Sequence, residues 1–478
     1  MSPGASTSSD PRGKLRKLYD RIQDTGLFIA PEQDIKFGIK RSININNNGT
    51  EKIDLAKEGY NSSLLFTMLT GILKHGNMIY FGPPGAGKTT APEFVGHFLY
   101  DRSMEDIHRA TIFCHPEQTQ ELMVARYSLA DLMIGEEKVL VRECMTSPIK
   151  ILDEINRLPP GKLSILYQLV DRGFTDYGDE VVRAGDGPMF MTANAADEGN
   201  YPLPKPFLDR IGIATVATYL NPCYLGLLEQ RGNEQLNGGI EKLLDISPDQ
   251  KFSMKELELA RHQIRDVSFS GNELYHLIHF LAESNYCFKA GISLEHKTKS
   301  NAQFKKPGKG LCSDCHYFSG TSKGASICYE TQEGISPRSY KSLLLYSKAM
   351  AWWRGKKKVD MEDLEAVLPY CTWHKLTPTD KAFEENSFFV NDRSGFASHL
   401  FEKSKQSYLR CKEFYDLYDT ILQTAGQVLA SPKKESVALL QDSIAKHLEN
   451  LKKIDSVSKY PIAVTLARAY NMLEGKNA

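Results

Sequence analysis

The spacing of hydrophobic residues changes near residue 221 of the chain. Before that point, short apolar runs alternate with stretches in which apolar residues recur at helical spacing. The five apolar runs cover residues 78–81, 111–113, 149–152, 189–192 and 213–216. Strands that alternate with helices predict a parallel five-stranded sheet with helices on both faces, which is a three-layer αβα fold. After residue 221 only helical spacing remains, so the rest of the chain is predicted to be α-helical.

Four segments follow from this pattern. Residues 1–50 begin with a Ser- and Gly-rich stretch and end in an Asn run, which predicts a partly disordered leader. Residues 51–225 form the α/β core. Residues 226–376 form a helical region with an insertion at 287–333 that is rich in Gly, Lys and Cys, and residues 377–478 form a helical C-terminal extension. Several structural units are expected for a chain of 478 residues.

The most specific motif joins the first predicted strand to the helix that follows it. It matches G-x-x-x-x-G-K-[ST] and consists of Gly82, Pro83, Pro84, Gly85, Ala86, Gly87, Lys88 and Thr89, with Thr90 next in the chain. Glycines in this pattern allow backbone N–H groups to surround phosphates at the positive end of a helix. We expect Lys88 to reach the β- and γ-phosphates of ATP and the Thr89 hydroxyl to bind Mg²⁺. A chance Gly-rich turn is disfavoured because the motif lies between a strand and a helix.

An acidic pair ends the third predicted strand. We expect Asp153 to hold Mg²⁺ and Glu154 to orient and deprotonate the attacking water. The alternative is a cap on the helix that begins near Pro160. Lys150 also makes this strand less apolar than usual. Asn194, at the end of the fourth strand, is a candidate for placing the same water, with an ordinary turn residue as the alternative.

Six short stretches, in their order and spacing, resemble the MoxR family of AAA+ ATPases. They are residues 153–157, 194, 201–204, 208–210, 334–339 and 359–364. The resemblance covers residues 60–376 and implies an AAA+ core followed by an α-helical lid. It also implies ATP and Mg²⁺ as ligands and a homo-oligomer, with a hexameric ring expected.

The resemblance implies a role for each matching residue of the core. Lys88 and Thr89 contact phosphate and Mg²⁺. Asp153 and Glu154 are the acidic pair of the site. Asn194 is the first sensor of the nucleotide.

Two arginines complete the site that the resemblance implies. Arg210 matches the arginine that reaches the ATP of a neighbouring subunit, and Arg338 matches the sensor arginine of the lid. The alternatives are an ion pair of Arg210 with Asp209 or another carboxylate, and a solvated arginine at a helix start for Arg338. Arg157 and Arg172 are rival contributors at a subunit interface.

The insertion at 287–333 and the C-terminal extension both depart from the family pattern. The insertion holds a C-x₂-C pair between two more distant cysteines, and four thiolates can bind a structural Zn²⁺. The candidate ligands are Cys287, Cys312, Cys315 and Cys328, with His296 or His316 as possible replacements for one cysteine. Free thiols and a local disulfide are the alternatives.

Charge limits the partners that the chain can attract. Lys plus Arg and Asp plus Glu both total 59, so a broad attraction to nucleic acid or anionic membrane is not expected. The insertion carries a local group of lysines, namely Lys297, Lys299, Lys305, Lys306 and Lys309. They could contact a phosphate backbone, although a solvated loop is favoured. We expect no membrane span and a cytoplasmic location, because residues 64–73 are too short and polar to cross a bilayer and the start lacks a secretory core.

The MoxR resemblance implies a ring-forming ATPase that remodels a protein partner in a chaperone-like way. The MoxR resemblance implies a protein with a von Willebrand A domain as one such partner. The alternative is a nucleotide-driven subunit of a nucleic-acid-acting complex of the defence or restriction type, which only the Lys-rich insertion supports. A nucleotide-gated scaffold without hydrolysis is disfavoured because Glu154 and Arg210 are both present.

Overall fold

The structure of the chain is a computed structural model. It describes residues 10–26, 28, 32–46, 51–194, 199–236, 244, 246–302, 315, 326–431 and 433–477. The chain divides into two compact units, Met1–Ser268 with Arg338–Cys371 and Phe269–Pro337 with Thr372–Ala478. Residues 226–376, which the sequence analysis assigns to one lid, contribute to both units. The four segment boundaries proposed from the sequence stay predictions.

The described strands form one central sheet and several two-stranded pairs. They are β1 Ile35–Asn44, β2 Lys52–Tyr60, β3 Asn77–Gly82, β4 Thr111–Phe113, β5 Ala125–Tyr127, β6 Val139–Val141, β7 Lys150–Asp153, β8 Phe174–Tyr177, β9 Glu180–Arg183, β10 Met189–Asn194, β11 Ile213–Val216, β12 Ser268–Phe269 and β13 Lys358–Val359. The central sheet has the strand order β11–β3–β10–β7–β4, and every pair of neighbours is parallel. The five predicted strands and the parallel sheet are confirmed.

The described α-helices surround the sheet in the first unit and build the second unit. They are α1 Pro11–Asp24, α2 Ser62–Ile72, α3 Thr90–Tyr100, α4 Met104–Ala110, α5 Gln120–Met123, α6 Leu129–Leu132, α7 Glu143–Thr146, α8 Pro160–Arg172, α9 Lys205–Leu208, α10 Leu225–Leu236, α11 Met254–Asp266, α12 Gly271–Asn285, α13 Lys299–Ala302, α14 Pro337–Trp353, α15 Met361–Thr372, α16 Asp380–Glu385, α17 Arg393–Ala430, α18 Lys434–Asn450 and α19 Lys459–Asn477. The αβα fold class with a helical C-terminal region is confirmed. None of the helices within the described ranges is long and apolar enough to cross a membrane.

Strand order decides where the chemistry of the first unit can occur. Because β10 lies between β3 and β7, the carboxyl ends of these three strands meet at one edge of the sheet. Asn194 at the end of β10 pairs with Gly82 at the end of β3, and Met191 pairs with Leu152 of β7. Ligands of open α/β sheets bind at this edge. The predicted phosphate motif, acidic pair and Asn194 all follow or end these strands.

The N-terminal residues contain more regular structure than the sequence analysis expects. Helix α1 begins after Asp10, whose side chain accepts a hydrogen bond from the backbone N–H of Arg12, and it buries Leu15 and Ile22 completely. Strand β1 pairs antiparallel with β2. The expectation of a leader is therefore corrected for Pro11–Asp24 and for Ile35–Asn44. The apolar residues of α1 lie at helical spacing, so the sequence carried this signal.

Trp353 fixes the N-terminal elements to the first unit. The side chain is fully buried, and the rings of Tyr19 and Tyr60 contact it edge-on with centroids 5.6 Å away. Trp352 is buried as well, and its Nε1 donates a hydrogen bond to Oε1 of Gln263 at 2.8 Å. Both tryptophans therefore have packing roles.

The second unit is built around long helices. Helices α17, α18 and α19 contribute buried apolar side chains to one core, including Tyr408, Tyr415, Ile421, Ile444, Leu466 and Leu473. Tyr275 and Ile278 of α12 are partly buried and also pack against this core. Burial of this apolar stripe supplies most of the stability of such helices.

A buried polar network runs through the core of the second unit. Glu283 and His279 of α12 are both fully buried. The hydroxyl groups of Ser407 and Ser456 donate hydrogen bonds to Oε1 of Glu283 at 2.9 and 3.0 Å, and His279 is hydrogen-bonded to Tyr415 and Ser407 at 3.1 Å. Burial raises the pKa of Glu283 to about 7 and lowers the pKa of His279 to about 3. His279 is therefore neutral at neutral pH, and Glu283 stays protonated to a higher pH than an ordinary glutamate does.

This network predicts a pH-dependent effect of Glu283→Gln. The folded-state pKa of Glu283 lies above its ordinary value of 4.5, so the wild-type chain loses stability as the pH rises from about 4.5 to about 7. Glutamine cannot ionise, so the variant should be more stable than the wild type at pH 8, by about 3 kcal/mol. The gain should vanish near pH 4.5. Hydrogen exchange in Gly271–Asn285, measured at both pH values, gives the free energy of opening.

The matched control is Glu449→Gln, which changes an exposed carboxylate on α18. This control should alter the free energy of opening at neither pH. An equal gain from Glu283→Gln at both pH values would show that the effect does not come from ionisation of Glu283.

Candidate functional site

The phosphate motif forms a tight loop between β3 and α3. Gly85 and Gly87 have φ values of 76° and 71°, in the left-handed region that favours glycine. Gly82 has φ 153°, and a Cβ there would lie 2.4 Å from the backbone oxygen of Ala217. Side chains at these positions would strain the loop or push it from its neighbours. The glycines therefore leave the backbone N–H groups of the loop accessible for phosphate oxygens.

Lys88 is held by several acceptors at the edge of the sheet. Its Nζ donates hydrogen bonds to the carbonyl oxygens of Gly82 and Pro83 at 3.0 and 2.7 Å, and to Oδ1 of Asn194 at 2.8 Å. Only 8% of the residue is exposed. Burial lowers the pKa of Lys88, and the nearby charges of Asp153 and Glu154 oppose this shift. The ammonium group thus lies among the residues that the sequence predicts to bind phosphate and Mg²⁺.

Thr192 connects the two members of the acidic pair. Its hydroxyl donates a hydrogen bond to Oδ1 of Asp153 at 2.5 Å and accepts one from the backbone N–H of Glu154 at 2.8 Å. Glu154 has φ 54°, a left-handed conformation that is rare outside glycine. Backbone strain of this kind costs roughly 1–3 kcal/mol and occurs often at functional sites. The strained turn directs Glu154 out of the line of the strand that Asp153 ends.

Asn194 joins Lys88 to Glu154. Its Oδ1 accepts from Lys88, and its Nδ2 donates to Oε1 of Glu154 at 2.6 Å. The two partners fix the orientation of the amide, because a lysine can only donate and a carboxylate can only accept. Asn156 holds the backbone in place, since its Nδ2 donates to the Asn194 carbonyl at 3.0 Å and its Oδ1 accepts from the Asn194 N–H at 3.3 Å. Arg157 lies 2.7 Å from the other carboxylate oxygen of Glu154.

The start of α8 and the position of Asn194 decide between the alternatives for the acidic pair and for Asn194. Helix α8 begins at Pro160 after Pro159, and no side chain caps its first turn. The interpretation of Asp153 and Glu154 as a helix cap is therefore wrong. Asn194 ends β10 and is buried, so it is not an ordinary turn residue. No sequence pattern indicated roles for Asn156 and Thr192, although Asn156 lies in the stretch 153–157 and Thr192 in the apolar run 189–192.

A second group of charged residues lies in the first unit around Asp171. Nε and Nη2 of Arg338 donate to the two carboxylate oxygens of Asp171 at 2.8 Å, and Nε of Arg210 lies 3.7 Å from Oδ2. Nη1 of Arg338 lies 3.6 Å from Asp209. The hydrogen bond to Asp171 raises the pKa of Arg338. Arg210 thus lies in the ion pair with a carboxylate that was its alternative interpretation. Arg338 is ion-paired and also 47% exposed at the start of its helix, so both interpretations of Arg338 stay open.

Two other contacts restrict the Arg210 side chain. Its guanidinium lies over the ring of Tyr167, 5.0 Å from the ring centroid. Its Nη1 donates a hydrogen bond to the carbonyl oxygen of Pro206 at 2.5 Å. The guanidinium of Arg172, the other rival, lies 6.0 Å from the centroid of the Phe174 ring, and its charge is a smaller cause of the lowered pKa of Asp171.

The cysteines of the insertion give only part of the predicted zinc site. Cys287, Cys315 and Cys328 are buried and free, which excludes a disulfide at these three positions. Cys312 and His316 lie outside the described residues. Within the residues that the structure describes, no group of three or more His, Cys, Asp and Glu side chains has an arrangement that could hold a metal ion. A zinc site is not supported by these contacts.

The predicted basic surface of the insertion is partly buried. Nζ of Lys299 donates to the carbonyl and hydroxyl oxygens of Thr331 at 2.9 and 2.6 Å, and the residue is only 6% exposed. Nζ of Lys297 donates to the carbonyl oxygen of Phe288 at 2.6 Å. Lys305, Lys306 and Lys309 lie outside the described residues. Lys299 therefore does not belong to a solvated, phosphate-binding surface.

Two family models match parts of the chain that include these residues. Residues 77–211 match the AAA domain of the dynein-related subfamily, and residues 326–393 match the AAA lid domain. The first match contains the phosphate motif, the acidic pair and Arg210, and the second contains Arg338. The chemistry of the site and the matched families therefore agree.

Individual relatives are more distant. Lon protease 2 from Hydrogenovibrio crunogenus is 25% identical over 197 residues, which cover 39% of this chain and 21% of that protein. The chain thus spans about a fifth of the length of that relative. The crystal structure of a candidate ATPase from Cytophaga hutchinsonii aligns with a TM-score of 0.51 at 18% identity, over 81% of this chain and 94% of the other. This likeness concerns the fold.

The geometry around Glu154 predicts the effect of Glu154→Gln. If Glu154 accepts the proton of the attacking water, the amide should lower ATP turnover by about 10²-fold or more, because a positioned base contributes that much. Nucleotide affinity should be retained, since Lys88 and the glycine loop are unchanged. Turnover and the dissociation constant for ATP should be measured on the same preparation.

The control for this variant is Glu137→Gln, which changes an exposed glutamate of the same unit. It should keep wild-type turnover and affinity. Wild-type turnover in Glu154→Gln would contradict a role of Glu154 as the base.

Proposed function

We propose that this chain, parts of which match an AAA domain and an AAA lid domain, works as a MoxR-like ring ATPase and couples ATP hydrolysis to the remodelling of a protein partner. The observation that carries this proposal is the separation of its charged groups into two sets. Lys88, Glu154 and Asn194 form one hydrogen-bonded set. Arg210 and Arg338 form another around Asp171. An active site split in this way is completed by assembly.

The first set supplies the groups that would bind the nucleotide and activate the attacking water. Lys88 and the loop N–H groups would bind the β- and γ-phosphates. Thr89 and Asp153 would hold Mg²⁺, which supplies positive charge against the phosphates. Glu154 would take a proton from the attacking water, and Asn194 keeps its carboxylate in one orientation through Nδ2.

The second set fits a role at the nucleotide of a neighbouring subunit. Within the described residues, the side chain of Arg210 contacts Asp171, Tyr167 and the Pro206 carbonyl. None of these belongs to the set around Lys88. An arginine supplied by another subunit stabilises the charge of the transition state, and it makes hydrolysis depend on assembly.

A protein client is favoured over nucleic acid by the exposed surface of the first unit. The segment around α6 exposes large apolar side chains, with Leu129 78%, Met133 89% and Ile134 72% exposed. Clustered exposed apolar residues mark sites of protein interaction. The zero net charge and the burial of Lys299 give a nucleic-acid role less support. A protein with a von Willebrand A domain is the partner class that the MoxR resemblance implies.

We also propose that the insertion binds a structural zinc ion through Cys287, Cys312, Cys315 and Cys328. Two observations support the cysteines as a group. Cys315 and Cys328 belong to one buried cluster with Tyr460. The charges of Cys287 and Cys315 are minor causes, after burial, of the raised pKa of Cys328, which is about 12. Thiolates favour zinc, and four of them leave no open position for catalysis.

The shared site predicts complementation between two inactive variants. Arg210→Ala should lose most ATP turnover because its arginine is missing, and Lys88→Ala should lose it because nucleotide binding fails. In a mixture, one type of interface joins the intact Lys88 of one chain to the intact Arg210 of the other. The mixture should therefore be more active than either variant alone. Turnover is measured at equal total chain concentration.

Arg109→Ala, which removes a surface arginine of α4, is the control and should keep wild-type turnover. A mixture no more active than the average of its two components would argue against a site that subunits share.

The zinc proposal predicts a metal content of about one ion per chain in protein purified without chelator. Cys315→Ser should lose the ion while ATP binding at Lys88 is unchanged. Cys223→Ser, at an exposed cysteine, is the control and should keep the metal. The measurement is elemental analysis of protein after gel filtration. Metal-free wild-type protein with reactive thiols at all four positions would rule the site out.

A further inference from the structure

Two arginines from distant parts of the chain meet at one carboxylate. Arg338, the second residue of α14, makes a bidentate ion pair with Asp171, and Arg210 approaches the same carboxylate from its Nε side. The hydrogen bond from Arg338 is the largest cause of the lowered pKa of Asp171, and the charges of both arginines contribute. Asp171 is therefore ionised and shared between two cations.

Helix stability does not explain these charges. Asp171 lies in the last turn of α8, where the helix dipole disfavours an anion. Arg338 lies in the first turn of α14, where the dipole disfavours a cation. Their side chains are 24% and 47% exposed, so solvent screens the pair, although its bidentate geometry and the neighbouring charges make it stronger than an isolated surface ion pair. The value of the arrangement lies in the geometry that it gives to the two guanidinium groups.

We propose that Asp171 is a positioning residue that holds Arg210 and Arg338 side by side for one phosphate group. This inference rests on the proposal that Arg210 serves the nucleotide of a neighbouring subunit. Asp171 contacts the Nε edge of each arginine. A guanidinium has five N–H donors, so each arginine keeps some donors that this carboxylate does not occupy. Those donors match the planar, bidentate recognition of phosphate.

Further contacts limit the motion of Arg210. Tyr167 covers one face of its guanidinium, and the Pro206 carbonyl accepts from Nη1. Asp209 carries a second negative charge next to Arg338, so two carboxylates balance two arginines. Like charges would otherwise push the two arginines apart. Because the two arginines are already ordered, little freedom is lost when they contact the charge of the transition state, which lowers the barrier to hydrolysis. The affinity of the neighbouring subunit for ATP is set mainly by its own phosphate loop and should change little.

The inference predicts a selective effect of Asp171→Asn. This variant keeps the shape of the side chain and removes its charge, so kcat should fall roughly 10- to 100-fold while KM for ATP stays close to that of the wild type. Asp171→Glu keeps the charge and should retain more activity than Asp171→Asn. The control is Glu105→Gln, which removes the carboxylate of the surface ion pair with Arg109 and should change neither constant.

Mixing experiments separate positioning from a loss of folding. Asp171→Asn chains keep an intact phosphate loop and impair only the arginine side. Their activity should rise when Lys88→Ala chains supply intact arginines, and it should not rise with Arg210→Ala chains. A merely unfolded variant would be rescued by neither.

The outcomes also separate this inference from the shared site itself. If Arg210→Ala and Lys88→Ala complement each other while Asp171→Asn and Lys88→Ala do not, the role of Asp171 is overturned and the shared site stands. A wild-type kcat in Asp171→Asn would also overturn the role of Asp171 and leave the shared site standing. If Arg210→Ala and Lys88→Ala fail to complement, the shared site is overturned and the role of Asp171 with it.

Discussion

The amide of Asn194 joins Lys88 of the phosphate motif to Glu154, which follows strand β7. The candidate site depends on this bridge. Lys88 donates to one end of the amide and Glu154 accepts from the other, at 2.8 and 2.6 Å. The bridge can form only because β10 lies between β3 and β7 in the sheet. Thr192 of the same strand makes the second link by contacting both Asp153 and Glu154. One strand therefore sets the geometry on both sides of the predicted γ-phosphate position.

A second constraint lies in the balance of charge around Asp171. Arg210 and Arg338 lie 128 residues apart in the sequence, and a single carboxylate contacts both. Asp171 at the end of α8 and Arg338 at the start of α14 are each disfavoured by the dipole of their own helix, and this arrangement makes sense if the two arginines act on an anion outside the chain. The bridge at Asn194 and the pair at Asp171 would then be two halves of one site.

The sequence predicted most of the sheet because its strands are short apolar runs between strong breakers. It also predicted the phosphate loop, because the positions of Gly82 and Gly87 leave little conformational choice. The N-terminal helix was missed because polar residues of the leader obscured the apolar spacing around Leu15. Asp171 was missed for a different reason: its partners are distant in sequence, and no local pattern announces a shared carboxylate. Long-range electrostatic contacts of this kind are visible only in three dimensions.

In the proposed mechanism, hydrolysis takes place at a site formed by two chains, one of which supplies Lys88 and Glu154 and the other Arg210. The most direct measurement is the ATP turnover of wild-type protein per chain across a dilution series that spans the transition from monomer to oligomer, followed in parallel by light scattering. We expect turnover per chain to rise with concentration and to reach a plateau as the oligomer forms. Turnover per chain that stays constant across this transition would contradict it.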